Sequence, residues 1–169
     1  MRIQAIRHSG QGAAAGAPLL NITEFLAKHN LKSYSTPVNA WDAFSPTGLV
    51  FMQLWTAPNQ WLKDHKNPQA RLRVNCYDAA KHQTSAKRQT TGYAGRRKSI
   101  EAIKSGATAF AAMSSPPGNA RGSGVWAKYA DLERVYPVLE IETEKSGDVY
   151  VLLGPPQPAS ALNLYPRQN

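Results

Sequence analysis

Residues 135–154, VYPVLEIETEKSGDVYVLLG, constrain the fold more than any other stretch. Val135, Pro137, Leu139 and Ile141 alternate with Tyr136, Val138, Glu140 and Glu142, the two-residue period of a half-buried strand. Ser146-Gly147 supplies a turn and VYVLLG returns, so the segment is expected to be a β-hairpin. RLRVNCY (71–77) alternates as cleanly: Leu72, Val74 and Cys76 face one way, and Arg71, Arg73, Asn75 and Tyr77 the other. LVFMQLW (49–55) is a continuous apolar run expected to be a buried strand, and ATAFAAM (107–113) another.

Helical signals are fewer. Asn21-Ile22-Thr23-Glu24 has the spacing of a capping box, opening a helix over about 22–30 with Ile22, Phe25 and Leu26 on one face and a stop near Asn30. A second short helix is expected to open on Arg96-Arg97-Lys98, turn Ile100 and Ile103 inward, and end at Gly106 in the left-handed conformation. The sum is five or six strands with two or three short helices: an α+β fold, read as a small, mixed, partly closed β-barrel. Residues 1–47 are expected to be an N-terminal extension with one short helix, 48–156 the core domain, and 157–169 a Pro-rich tail.

The chain of 169 residues is ample for one core, and 42% hydrophobic residues mark it as globular. No apolar run approaches the ~20 residues of a membrane span, and the basic N-terminus lacks the continuous apolar stretch of a signal peptide. Cys76 is the single cysteine, which excludes an internal disulfide and fits a cytoplasmic home. The histidines at 8, 29, 65 and 82 have no metal-ligand spacing, so no metal or cofactor is expected.

Charge is the stronger functional signal: 20 Lys+Arg against 11 Asp+Glu give a net charge of +9. Residues 61–98 hold ten Lys/Arg against Asp64 and Asp78, whereas residues 131–148 hold six acids. A basic face of this kind fits a polyanion, and nucleic acid, DNA or RNA, is the expected partner. Three cations at a helix amino end are electrostatically misplaced unless an anion joins them, because that end already carries partial positive charge. Arg71, Arg73, Lys87, Arg88, Arg96, Arg97 and Lys98 are therefore the expected phosphate contacts. Trp55, Tyr93 and Trp126 lie among these basic segments, as base stacking requires. The blander account makes the basic turn solvated, pairs its arginines with the acidic hairpin, and leaves Trp55 in the core.

Enzymatic patterns are weaker. QTTGYA (89–94) fits the Q/R-x-x-G-x-G/A pattern of acyl-CoA-dependent acetyltransferases, but the preceding segment does not read as the strand that fold requires. Glu140, Glu142 and Glu144 on one strand face, with Lys145, invite a Mg-dependent nuclease reading, against which an acidic outer face is simpler. A third alternative is a phage or mobile-element protein that binds and inhibits a host protein.

The order of LVFMQLW, a basic loop, GYAGRRKSIEAIKSGATAFAAMSS, a Gly/Pro loop, VYPVLEIETE and a final strand resembles the PUA-like domains, in particular their EVE, YTH and ASCH branches. The likeness covers about residues 48–156. Gly106-Ala107 departs from the Gly-Asp of the EVE pattern, and its aromatic-rich loop is represented by Tyr93. The resemblance implies a nucleic-acid binder that holds a modified base in an aromatic pocket, and together with the charge it leads to the expectation of a bacterial or phage-type protein linked to restriction or counter-defence. Carried over residue by residue, it places Trp55, Tyr93, Arg97, Ser114 and Ser115 at that pocket.

Overall fold

The structure is a computed structural model and describes residues 21–34, 42–55, 60–61, 66–80, 91–115, 126 and 128–164. Helix α1 (Ile22–Lys28) opens with the expected box: the Asn21 side chain accepts from the Glu24 amide at 2.9 Å, and Glu24 accepts from the Asn21 amide at 3.2 Å. Asn30, at φ 53°, terminates it. Short strands β1 (Lys32–Ser33) and β2 (Asp42–Phe44) follow, then β3 (Val50–Trp55), β4 (Gln60–Trp61) and β5 (Leu72–Tyr77). Helix α2 (Thr91–Lys104) leads into β6 (Ala109–Ser114) and the long β7 (Ala130–Thr143), which turns into β8 (Val149–Leu153). Strand β9 (Gln157–Pro158) and a 3-10 helix (Ala159–Leu164) end the described chain.

The order across the sheet is β1-β2-β3-β6-β7-β8-β5-β4, with β9 on β7. Among the described residues only the β3–β6 pair is parallel, and every other pair is antiparallel. The fold is therefore mixed α+β with a mostly antiparallel sheet. Its path has two ends, at β1 and β4, and is not closed among the described residues.

Two cores flank the β3–β6 pair. Val50, Met52 and Leu54 of β3 and Ala109, Ala111 and Met113 of β6 join apolar residues of β5, β8 and α2 in the first. Phe51, Phe110 and Ala112 point to the opposite face, where α1, Trp126 and the 3-10 helix cover them. A parallel pair covered on both faces needs apolar residues at nearly every position, which is why LVFMQLW and AFAAMS lack alternation. Phe25, Phe51 and Phe110 are wholly buried, and each contributes about 1.5–3 kcal/mol.

Departures from the expected pattern have local causes. Alternation predicts Leu139 inward, but the pairing shifts between Val138 and Glu140, and Leu139 is 38% exposed. A bulge adds one unpaired residue and exchanges the faces beyond it. Tyr136, Val138 and Ile141 consequently pack on the first core, while Val135 is buried in the second. The hairpin turn itself is as expected, with Gly147 at φ 89° and the Gly147 amide donating to the Glu144 carbonyl.

Segments expected outside the core also join it. Strand β2 belongs to the sheet, so the boundary expected at 47/48 falls between paired strands. Ala161 and Leu162, in the expected tail, are buried in the second core. Residues 1–20 of the expected extension lie outside the described residues. No helix among those described is long and apolar enough to cross a membrane.

Candidate functional site

The amino half of α2 is the organising feature. The helix begins at Thr91 rather than Arg96, so Arg96, Arg97 and Lys98 occupy its second turn, not its first. Helical geometry then sends neighbours to different faces. Arg97 and Lys98 are exposed, whereas Arg96 is 3% exposed.

Arg96 is accordingly corrected from a phosphate contact to an interior group. Its Nη1 donates to the Cys76 carbonyl at 3.0 Å and its Nη2 to the Gln53 carbonyl at 2.7 Å. Its Nε lies 2.9 Å from Asp42 Oδ2. The Ser99 hydroxyl also faces the carboxylate, and charge and distance define the Asp42–Arg96 pair. Burial raises the Asp42 pKa above the ordinary 3.8, while attraction to Arg96 opposes the rise. The anion that the misplaced charge called for is thus in part Asp42 of the same chain. The sequence signal was weak, because Asp42 is 54 positions away from Arg96.

Strand ends converge on this helix. Trp55 and Ser114 are register partners, so β3 and β6 end side by side. Arg96 reaches the carbonyls of Gln53 and Cys76, which brings the end of β5 to the same place. There Tyr77 meets Tyr93 edge-on, with ring centroids 6.1 Å apart. Burial, then the Asp78 charge, raises the Tyr93 pKa.

Of the expected pocket residues, Trp126 is corrected to core. It is 5% exposed, and its indole Nε1–H donates to the Leu54 carbonyl at 3.0 Å, the partner a buried indole requires. Ser114 is fully buried and donates through Oγ to the Trp126 carbonyl at 3.1 Å. Trp55 is half-buried against the second core. Ser115 is exposed and Tyr93 half-exposed, so these two retain access to solvent at the converging ends.

The cationic face expected on β5 is neutralised. Arg73 donates through Nε to Glu142 at 2.7 Å and through Nη2 to Glu144 at 2.9 Å. Its guanidinium lies 3.6 Å from the Tyr150 ring centroid. Burial lowers the Arg73 pKa, but these carboxylates outweigh it and the net shift is upward. The acidic strand face is therefore engaged with arginine, and no group of three metal-ligating side chains occurs among the described residues. Arg71 is exposed and donates to the Pro68 carbonyl at 2.7 Å. Lys87 and Arg88 lie outside the described residues. Residues 91–94 of the acyl-CoA-like motif are helical, so they form part of α2 rather than a loop ahead of it.

What remains is a set of exposed cations. Arg97, Lys98 and Lys104 on α2, with Lys32 on β1, have no ion pair among the described residues. Tyr34 links the strand edge to the helix: Lys98 Nζ is 5.8 Å from its ring, and a Cβ at Gly95 would come within 3.1 Å of it. Lys104 was legible in the sequence, being seven residues, or two helical turns, beyond Arg97. Lys32 was not, because it lies on β1, and it is β1's partner β2 that packs against α2.

Fold and site together define an α+β protein with an open, mostly antiparallel sheet and one cationic helix face. No protein-family model, curated protein or solved structure matches the chain.

Proposed function

We propose that this chain is a cytoplasmic nucleic-acid-binding domain with a PUA-like, partly closed sheet, which lays the outer face of α2 against phosphates. The observation that carries the reading is the contrast within Arg96-Arg97-Lys98. The first is paired internally, and the other two stand exposed with no ion pair among the described residues. Lys104, two turns beyond Arg97 on the same helix, extends their face. The distribution of charge along the chain supports it. The described residues carry twelve Lys/Arg and ten acids, a net of +2, and the remainder eight Lys/Arg and one acid, a net of +7. Five of those eight, Lys63, Lys81, Lys87, Arg88 and Arg121, belong to segments that follow β4, β5 and β6 in the chain. Tyr93 and Ser115, at the converging strand ends, are the residues this proposal assigns to an unstacked or modified base.

Binding of labelled single-stranded, duplex and modified oligonucleotides, at two salt concentrations, tests the proposal. Arg97→Glu with Lys98→Glu is expected to weaken binding and to flatten the log–log salt slope by about 2, roughly one for each phosphate no longer neutralised. Absence of binding to every oligonucleotide at low salt would remove the nucleic-acid reading and favour a protein partner.

A further inference from the structure

Among the described residues the sheet has a seam: no backbone pairing joins β3 to β5. The described pairing of β3 with β2 runs as far as Met52, opposite Asp42, and Gln53 follows next on β3. On β5, the register with β8 skips from Asn75 to Tyr77, leaving Cys76 in the irregularity. The carbonyls of Gln53 and Cys76 are the two that the Arg96 guanidinium takes, while its Nε faces Asp42 of β2. Three strands from the two ends of the sheet path thus meet on one side chain. A closed barrel would join such strands through backbone hydrogen bonds.

From this juxtaposition we infer that Arg96 is a positioning residue: a clasp that closes the seam and fixes α2 so that its outer cations share one face. It rests on the nucleic-acid reading only for the last step, from helix position to binding. A planar guanidinium has donors on three nitrogens in a rigid fork, so it can address a carboxylate and two carbonyls together. Lysine has one nitrogen and cannot span them. Helical geometry does the rest: with Arg96 held inward, Arg97 and Lys98 are turned outward. Asp42 supplies the countercharge that lets the guanidinium stay inside. Ser99, one turn on and fully buried, keeps the same face of α2 against the sheet.

The test compares Arg96→Lys, Asp42→Asn and the double variant Arg96→Met with Asp42→Leu in the full chain. Replacing a buried ion pair by apolar residues can leave global stability unchanged or raise it, yet it does not restore the bridges to Gln53 and Cys76. In folded variants, native-state hydrogen exchange of the α2 amides is expected to accelerate at least ~10-fold more than that of the β6, β7 and β8 amides. Affinity for a single-stranded 20-mer at low salt is expected to fall about tenfold, even in a double variant that melts like the parent. A double variant with parental α2 exchange and parental affinity would overturn the clasp. Loss of the whole fold in all three variants would overturn it too, since Arg96 would then support the molecule globally rather than α2. If the parent protein binds no oligonucleotide, the nucleic-acid reading fails by itself, and the exchange measurement alone decides the clasp.

Discussion

The outer face of the β5–β8–β7 sheet and the outer face of α2 both carry cations, yet they differ in kind. On the sheet, Arg73 lies between Glu142 and Glu144 and over the Tyr150 ring, so its charge is spent inside the chain. On the helix, Arg97, Lys98 and Lys104 share their surface with one acid, Glu101, and make no ion pair among the described residues. A count of basic residues treats the two faces alike. What separates them is the neighbour that tertiary structure brings within about 3 Å, because an arginine already bonded to two carboxylates must lose them before it can hold a phosphate.

The largest expected effect comes from the place where the two surfaces are tied together. Arg96→Met alone leaves Asp42 buried beside no cation, and a loss of about 3–5 kcal/mol in urea unfolding is expected. If such a variant unfolds like the parent, Arg96 is not holding helix and sheet together. Next is Trp126→Phe, which leaves the Leu54 carbonyl without its indole donor and is expected to cost about 1–3 kcal/mol. An unchanged urea midpoint, with nucleic-acid affinity lost instead, would return Trp126 to the stacking role that its sequence context suggests.

Arg73→Ala and Arg97→Glu with Lys98→Glu test the contrast directly. The Arg73 variant should lose about 1 kcal/mol of stability, since Glu144 is nearly half exposed and solvent screens that bond. Its nucleic-acid affinity should be essentially unchanged. The helix variant should do the reverse, with stability within about 0.5 kcal/mol of the parent and a weakened, less salt-sensitive affinity. An exchange of these two phenotypes would break the comparison.

The last test concerns pH. Burial raises the Asp42 pKa above 3.8, so the folded protein holds that proton more tightly than the unfolded chain does. This group's contribution is therefore fully present below pH 3.8 and is lost as pH rises through the native Asp42 pKa. Asp42→Asn should remove that component from a plot of urea midpoint against pH. A variant whose acid-side profile overlays the parent's would mean that Asp42 titrates normally.

Most of the local architecture was legible in the residues. Asn21 and Glu24 made their capping box, Gly106 stopped the helix at φ 100°, and Ser146-Gly147 turned the hairpin, because each depends on groups within a few residues. Leu72, Val74 and Cys76 likewise faced the core as their alternation required. Leu139 escaped that logic, since a bulge is set by the partner strand's register rather than by the strand's own pattern. Trp126 escaped it too, because its acceptor, Leu54, is 72 residues away.

The amino-acid sequence by itself determined that this protein is α+β, where its five main strands and the ends of its two α-helices fall, and that it carries a net charge of +9. Periodicity, caps and composition are local or additive properties, and they can be read without knowing what lies nearby. Tertiary structure alone decided which cations stay exposed. Arg96, Arg97 and Lys98 are adjacent in the chain, but helical geometry turned one toward Asp42, Gln53 and Cys76 and left two in solvent. A side chain's charge is written in its covalent structure; its availability depends on partners that only folding assembles.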